Sequence, residues 1–383
     1  MVRILTGILF IFLVVLGFLI AFHRPLWNDE YYSLLCNTRV TPYETIMMGG
    51  IIEGNNSPLF YFIQKAQCDL FSYHCPQEWV HWHWAPGKHV FDQFFLRVPS
   101  VIFMSAALSA LFYYFSRRYS LLMGLYALIL TMSSPLFWYH WTEARPYAEW
   151  FSLSVFQILL LLNILENPAD QNKKTLPWLA LVHCLLSLVT VVSVIQIMSA
   201  AIVLWYLRRL DVLWSILLVL VPVEICGFYF LHAPHYPYFF LDGPMSLINA
   251  SVPKDRLFII FTAAVILMVQ CRGKNWKEYL EIRYFSFFLL ILAFYGLLIL
   301  GMKWTSVKPS QGMQIPNRYF LSLCPAGIVG ILLFSRYLIR AYPSRVWKTA
   351  VGVVLACSLL FHFHKANPYV NLHEVFSFKS NSY

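Results

Sequence analysis

The chain has 383 residues, 59% of them hydrophobic and only 12% charged, against about 45–50% apolar and about 25% charged in ordinary soluble domains. That composition excludes a soluble enzyme and points to one polytopic membrane domain. Lys and Arg number 28 against 18 Asp and Glu, a net charge of +10, but these charges sit between apolar runs. The excess therefore reads as membrane orientation and lipid contact, and no nucleic-acid partner is expected.

A membrane-spanning helix takes about 20 apolar residues. Candidate runs fall at 4–22, 98–115, 121–139, 148–165, 176–207, 212–231, 257–270, 284–302, 319–335 and 349–363. The first ends in Ala21, Phe22, His23 and Arg24 without a small-residue cleavage site, so it reads as a retained helix. As one helix, 176–207 would be about 48 Å long at 1.5 Å per residue, more than a bilayer core accommodates. It is read as two spans, 176–190 and 191–207. With that division the basic residues Arg3, Arg117, Arg118, Lys173, Lys174, Arg208, Arg209, Arg272, Lys274, Lys277, Arg283, Arg336, Arg340, Arg345 and Lys348 share the cytoplasmic side. The expected fold is an all-α polytopic membrane protein of about eleven spans, N-terminus inside and C-terminus outside.

The first extracytoplasmic loop, 23–97, is rich in Trp and Tyr, which suit the membrane interface or a substrate platform. Within it Thr41–Met48 and Pro58–Leu70 read as amphipathic surface helices. Five of the eight cysteines lie in or beside apolar runs as small hydrophobes; Cys68 and Cys75 stand in the polar loop, where an oxidising compartment would join them in a disulfide.

Charges in or beside apolar spans are costly and mark candidate functional groups. Asp29 and Glu30 follow the first span. Three later helices begin with a shared pattern: Arg97, Val98, Pro99; Arg145, Pro146, Tyr147; and Pro316, Asn317, Arg318, Tyr319. Proline suits a first helical turn, and arginine placed there adds a bidentate fork to the anion-favouring helix N-terminus. Together these ends suggest a phosphate site. Glu143 precedes Arg145 by two residues, either orienting it or meeting substrate or metal. Glu149 and Glu224 inside spans read as protonated or hydrogen-bonded groups of the bundle, and His183 as a packed core residue. His74, His81, His83 and His89 cluster in the first loop, but no Glu or Cys completes a known metal-site spacing, so a divalent metal is left open. No P-loop, nucleophile elbow or zincin motif is present.

Four segments taken in order resemble the polyprenyl-phosphate-sugar-dependent glycosyltransferases of the GT-C fold, including bacterial relatives of protein O-mannosyltransferases and the aminoarabinose transferase of lipid A. They are Trp27 to Glu30 (WNDE), Asn55 to Tyr61 (NNSPLFY), Leu96 to Ser100 (LRVPS) and Ser134 to Tyr147 (SPLFWYHWTEARPY); Asn317, Arg318 and Tyr319 also fit. The likeness covers roughly the first 150 residues.

The resemblance implies a GT-C membrane fold, a lipid-phosphate sugar donor, a catalytic centre outside the cytoplasm and an essential first-loop carboxylate at Asp29. With it go an inverting transfer of one sugar from an undecaprenyl- or dolichyl-phosphate carrier to a glycan, lipid or protein acceptor, and a bacterial inner membrane or, in a eukaryote, the endoplasmic reticulum. On this reading Asp29 is the base and Glu30 supports either the acceptor or the base, while Arg145, Arg318 and Arg97 stabilise the phosphate with Lys303 and Lys308 as further candidates. Tyr147 and Tyr319 line the site. Asn56 replaces a histidine frequent in relatives and remains able to hydrogen-bond a sugar. The insert 68–94 departs from the pattern. A lipid-linked-sugar transporter or flippase is the alternative: it would use the same arginines but needs no base at Asp29.

Overall fold

The computed structural model describes residues 1–24, 26, 28–51, 57–73, 90–167, 169–232, 239–240, 290–291, 293–298, 313–314 and 320–341, with isolated residues between 349 and 360. Their regular elements are helices apart from two short strands, β1 (Phe239–Phe240) and β2 (Met313–Gln314), that pair in parallel. Four helical segments are long and apolar enough to cross a membrane: α1 (Val2–His23), α6 (Val98–Arg118), α9 (Tyr147–Glu166) and the segment Val212–His232. Between α1 and α6 come the shorter α2 (Asn28–Tyr32), a π-helical stretch Ser33–Arg39, α3 (Tyr43–Met47), α4 (Leu59–Leu70) and α5 (Val90–Leu96).

α1 shows how sequence period becomes packing. Ile4, Ile8, Ile11, Val15, Leu19 and Phe22 form one exposed apolar stripe, whereas Leu13, Gly17, Ile20 and Ala21 are buried. Water would not tolerate so long an apolar stripe; lipid does. The buried face packs on α6, which also meets α7 (Leu121–Met132) and α9. Small residues allow these approaches: a Cβ on Gly17 would lie 2.8 Å from Val101 Cγ1, and one on Gly124 would lie 1.8 Å from Ser116 Oγ and 2.8 Å from the Phe112 carbonyl. Such close helix contacts are what membrane bundles use in place of a hydrophobic driving force.

The expected span 121–139 is not one helix. α7 stops at Met132, and α8 (Pro135–Trp141) starts afresh. Pro135 has no N–H to continue the ladder, and the Thr131 and Ser133 hydroxyls donate back to the carbonyls of Ala127 and Leu130 at 2.8 and 2.7 Å. The run 176–207 forms two helices, α10 (Leu176–Val189) and α11 (Ser193–Tyr206), which turn at 190–192. The segment 212–232 divides into α12 (Val212–Ser215), a π-helical stretch Ile216–Leu220 and α13 (Val221–His232); near the C-terminus α14 (Leu323–Ala341) packs on α7 and α9. Of the remaining expected spans, 284–302 is helical at 290–291 and 293–298, 257–270 lies outside the described residues, and 349–363 lies largely outside them.

A buried polar chain ties α9 to its neighbours. Trp150 Nε1 donates to Gln196 Oε1 at 2.7 Å, Gln196 Nε2 donates to Gln157 Oε1 at 3.1 Å, and Gln157 Nε2 reaches His183 Nε2 at 2.9 Å. His183 Nδ1 in turn donates to the Leu218 carbonyl of the second π-helical stretch at 2.7 Å, so its Nε2 is the acceptor. His183 is thus a satisfied core residue. Glu224, expected inside the bundle, instead lies on a face of α13 that the described residues leave exposed.

Candidate functional site

The groups singled out around Asp29 converge where α1 ends and α6 and α9 begin. The local sequence explains why. α6 starts with Arg97 at its N-cap and Pro99 in its first turn, and α9 starts just after Pro146, so both arginines are held at helix entrances. α2 opens directly on Asn28, which places Asp29 and Glu30 in its first turn; consecutive helical residues diverge by about 100°.

That divergence separates the two carboxylates. Glu30 is buried and accepts from Arg97 in a bidentate pair, Nε to Oε1 at 2.9 Å and Nη2 to Oε2 at 2.7 Å, and from the Ala144 backbone N–H at 2.6 Å. Arg97 Nη1 donates further to the carbonyls of Ala21, at 3.1 Å, and Arg24. Arg97 is fully buried and its fork is directed at Glu30 and the end of α1; it braces that junction in place of the expected phosphate contact. Glu30 is correspondingly a bracing group and is not placed as a support for the base.

Asp29 keeps a side chain 37% exposed, with Oδ2 3.7 Å from Arg145 Nη2. Arg145 donates from Nη1 to Ser33 Oγ at 2.8 Å and to the Asp29 carbonyl at 3.2 Å, and its guanidinium lies over the Tyr147 ring at 5.6 Å. The tyrosine hydroxyl is 3.5 Å from Nη2. The candidate site therefore centres on a partly exposed carboxylate beside an oriented guanidinium.

Glu143 is not the partner of Arg145. Its Oε2 meets His140 Nδ1, both residues are buried, and its Oε1 has no hydrogen-bond partner. Burial alone would raise the Glu143 carboxyl, but His140, Arg24 and Arg145 outweigh it and hold the carboxyl below its ordinary value. The His140 ring packs on Tyr147 with centroids 4.8 Å apart. Arg24 donates to the Tyr139 carbonyl at 2.6 Å and to Thr142 Oγ1 at 3.3 Å. His140 and Arg24 were not among the residues expected here. The signal for His140 was its spacing of three from Glu143; for Arg24 it was only its position at the end of α1.

Glu149, in the first turn of α9, is fully buried and neither of its carboxyl oxygens has a hydrogen-bond partner. A glutamate at this position commonly reaches back to the N-cap N–H. Here the N-cap is Pro146, which has none.

Asn56, Lys303, Lys308, Arg318 and Tyr319 lie outside the described residues, as do the four loop histidines. Cys68 is a free thiol on α4, so the expected bridge is not formed in this structure; Cys75 is outside the described residues. Burial and the neighbouring Asp69 raise the Cys68 thiol to about 11. Among the described residues no group of three or more His, Cys, Asp or Glu side chains is placed to hold a metal ion. No protein-family model, curated protein or solved structure matches this chain.

Proposed function

We propose that the protein is a multi-pass glycosyltransferase of GT-C-like architecture, with about eleven spans and its Asp29 end facing away from the cytoplasm. It transfers one sugar, with inversion, from a polyprenyl-phosphate carrier to an extracytoplasmic acceptor. The acceptor hydroxyl oxygen attacks the anomeric carbon, the bond from that carbon to the phosphate oxygen breaks with its electron pair leaving on phosphate, and Asp29 takes the hydroxyl proton. Arg145 stabilises the departing phosphate, oriented by Ser33 and Tyr147.

The observation that supports the reading is the different setting of adjacent carboxylates: Glu30 is buried in a bidentate pair with Arg97, while Asp29 is 37% exposed with Oδ2 3.7 Å from Arg145 Nη2. Asp29→Asn in the purified full chain, supplied with radiolabelled polyprenyl-phosphate sugars, is expected to lower transfer by about 10²–10⁴-fold with donor binding retained. Turnover equal to wild type overturns the base assignment. Donor binding without turnover in the wild type, unchanged by the substitution, favours the transporter.

A further inference from the structure

The end of the bundle opposite Asp29, where α1 begins and α6 stops, gathers arginines that are not all used alike. Arg118 donates to Glu166 at 2.9 Å, and Arg336 lies over the Tyr119 ring. Arg117 and Arg3 are placed differently. Arg117 Nη1 donates to the Tyr113 hydroxyl, one turn back on α6, at 2.6 Å, and its guanidinium lies 5.9 Å from the centroid of that ring. Arg3, in the first turn of α1, reaches the same hydroxyl. The ion pairs among the described residues take their cations from Lys65, Arg97, Arg118, His140 and Arg145, so neither Arg3 nor Arg117 has a carboxylate partner there.

Two exposed guanidiniums from different helices thus meet at one oxygen. Their like charges repel, and the tyrosine gives them an acceptor without a countercharge. An anion bridging them would meet two forks already brought together, at a smaller cost in side-chain ordering than for two arginines free to rotate. The surroundings say which kind of anion. Beside Arg3 the exposed apolar stripe of α1 begins, with Ile4, Ile8, Ile11 and Val15, and extends to about 18 Å beyond Arg3 along the helix axis. One turn on from Arg3, Gly7 is exposed, and a Cβ there would meet nothing within 4 Å. The helix therefore presents a cationic head beside an open apolar flank. A free phosphate would use only the first, whereas a phospholipid with a negative head group uses both.

We propose that Arg3, Arg117 and Tyr113 form a head-group site for an anionic diacyl phospholipid, whose acyl chains lie along the exposed stripe of α1. The site is separate from the Asp29 end and does not depend on the transferase reading. A lipid held there clips α1 to α6 at the end far from Asp29.

The test is native mass spectrometry of the full chain released from detergent micelles holding equal amounts of dioleoyl phosphatidylglycerol and dioleoyl phosphatidylcholine. The wild type should retain phosphatidylglycerol in preference. Arg3→Gln and Arg117→Gln should each lower that preference by about fivefold, and the double substitution should abolish it. Tyr113→Phe leaves the net charge unchanged but releases the forks, and should lower the preference by about twofold. Lys173→Gln combined with Lys174→Gln removes the same charge from exposed side chains elsewhere and should leave the preference intact. Glycerol 3-phosphate, which lacks the chains, should not displace the lipid at equal concentration. Equal retention of the two lipids by the wild type overturns the proposal and needs no variant to fold. A lysine double substitution as harmful as the arginine one also overturns it, since the protein would then be responding to net charge. Wild-type selectivity in Tyr113→Phe would mean two independent surface charges, and displacement by glycerol 3-phosphate would mean a free-anion site; either result sinks the lipid site.

Discussion

The two ends of α9 carry charged clusters that differ in how completely their polar groups are used. At the Glu166 end the carboxylate accepts from Arg118 Nε at 2.9 Å, from the Tyr114 hydroxyl at 3.2 Å and from the Tyr119 hydroxyl, and Arg336 of α14 lies 4.0 Å over the Tyr119 ring. Both oxygens are occupied by partners from α6 and the turn after it, and α14 adds Arg336 over the Tyr119 ring. At the Asp29 end the Arg97–Glu30 pair is equally engaged, but Glu143 Oε1 and both Glu149 oxygens are buried without hydrogen-bond partners, and Asp29 is partly open. Ser116 Oγ and the Asn172 side chain at the Glu166 end are also buried without partners, but among the described carboxylates the unpartnered buried oxygens are those of Glu143 and Glu149, and it is this unused carboxylate capacity, costly to bury, that distinguishes the Asp29 end.

The largest effect is expected where the two designs coincide. Arg97→Ala leaves Glu30 buried without its counter-ion, which should cost about 3–5 kcal/mol. A fall in the thermal unfolding midpoint in detergent would register it, and an unchanged midpoint would remove Arg97 as a brace. Gly124→Ala attacks packing near the Glu166 end: its new methyl meets Ser116 and the Phe112 carbonyl, and a rigid backbone neighbour cannot swing away. The expected loss is about 1–3 kcal/mol, with donor affinity at the far end unaffected. Glu166→Gln should be milder, about 1 kcal/mol, because Arg118 is 52% exposed and water replaces part of what it loses. If either of these two substitutions weakened donor binding without lowering stability, the separation of brace from site would fail.

Some of this was legible in the chain and some was not, for physical reasons. Hydropathy locates α1, α6 and α9 because lipid selects a long apolar run, and proline with arginine marks the entrances of α6 and α9. Hydropathy is blind to a break inside such a run, and so 121–139 reads as continuous although Pro135 interrupts it. Adjacency hides more. Asp29 and Glu30 are chemically alike in sequence, and only the angle between consecutive helical residues, with Arg97 brought in from 67 positions away, makes one a brace and leaves the other partly exposed. His140 hides between aromatic residues in Trp138, Tyr139 and Trp141, where a ring among rings suggests packing; its spacing from Glu143 gains meaning once α8 is known to end at Trp141.

The smallest effect expected concerns Glu143, and its sign follows from linkage. The ordinary carboxyl value is 4.5, and in the folded protein burial, which would raise it, is outweighed by His140, Arg24 and Arg145, which lower it. A carboxyl depressed on folding contributes stability at pH values above its unfolded pKa, and that contribution is lost as pH falls through the folded one. The wild-type unfolding midpoint should therefore decline as the medium is acidified below about 4.5. Glu143→Gln should start lower at neutral pH and lose less on acidification, so that the two curves converge. Curves that stay parallel would place the acid-sensitive group elsewhere. Convergence would mean that at neutral pH the half-used carboxylate at the Asp29 end is ionised, as its cationic neighbours Arg24 and Arg145 favour.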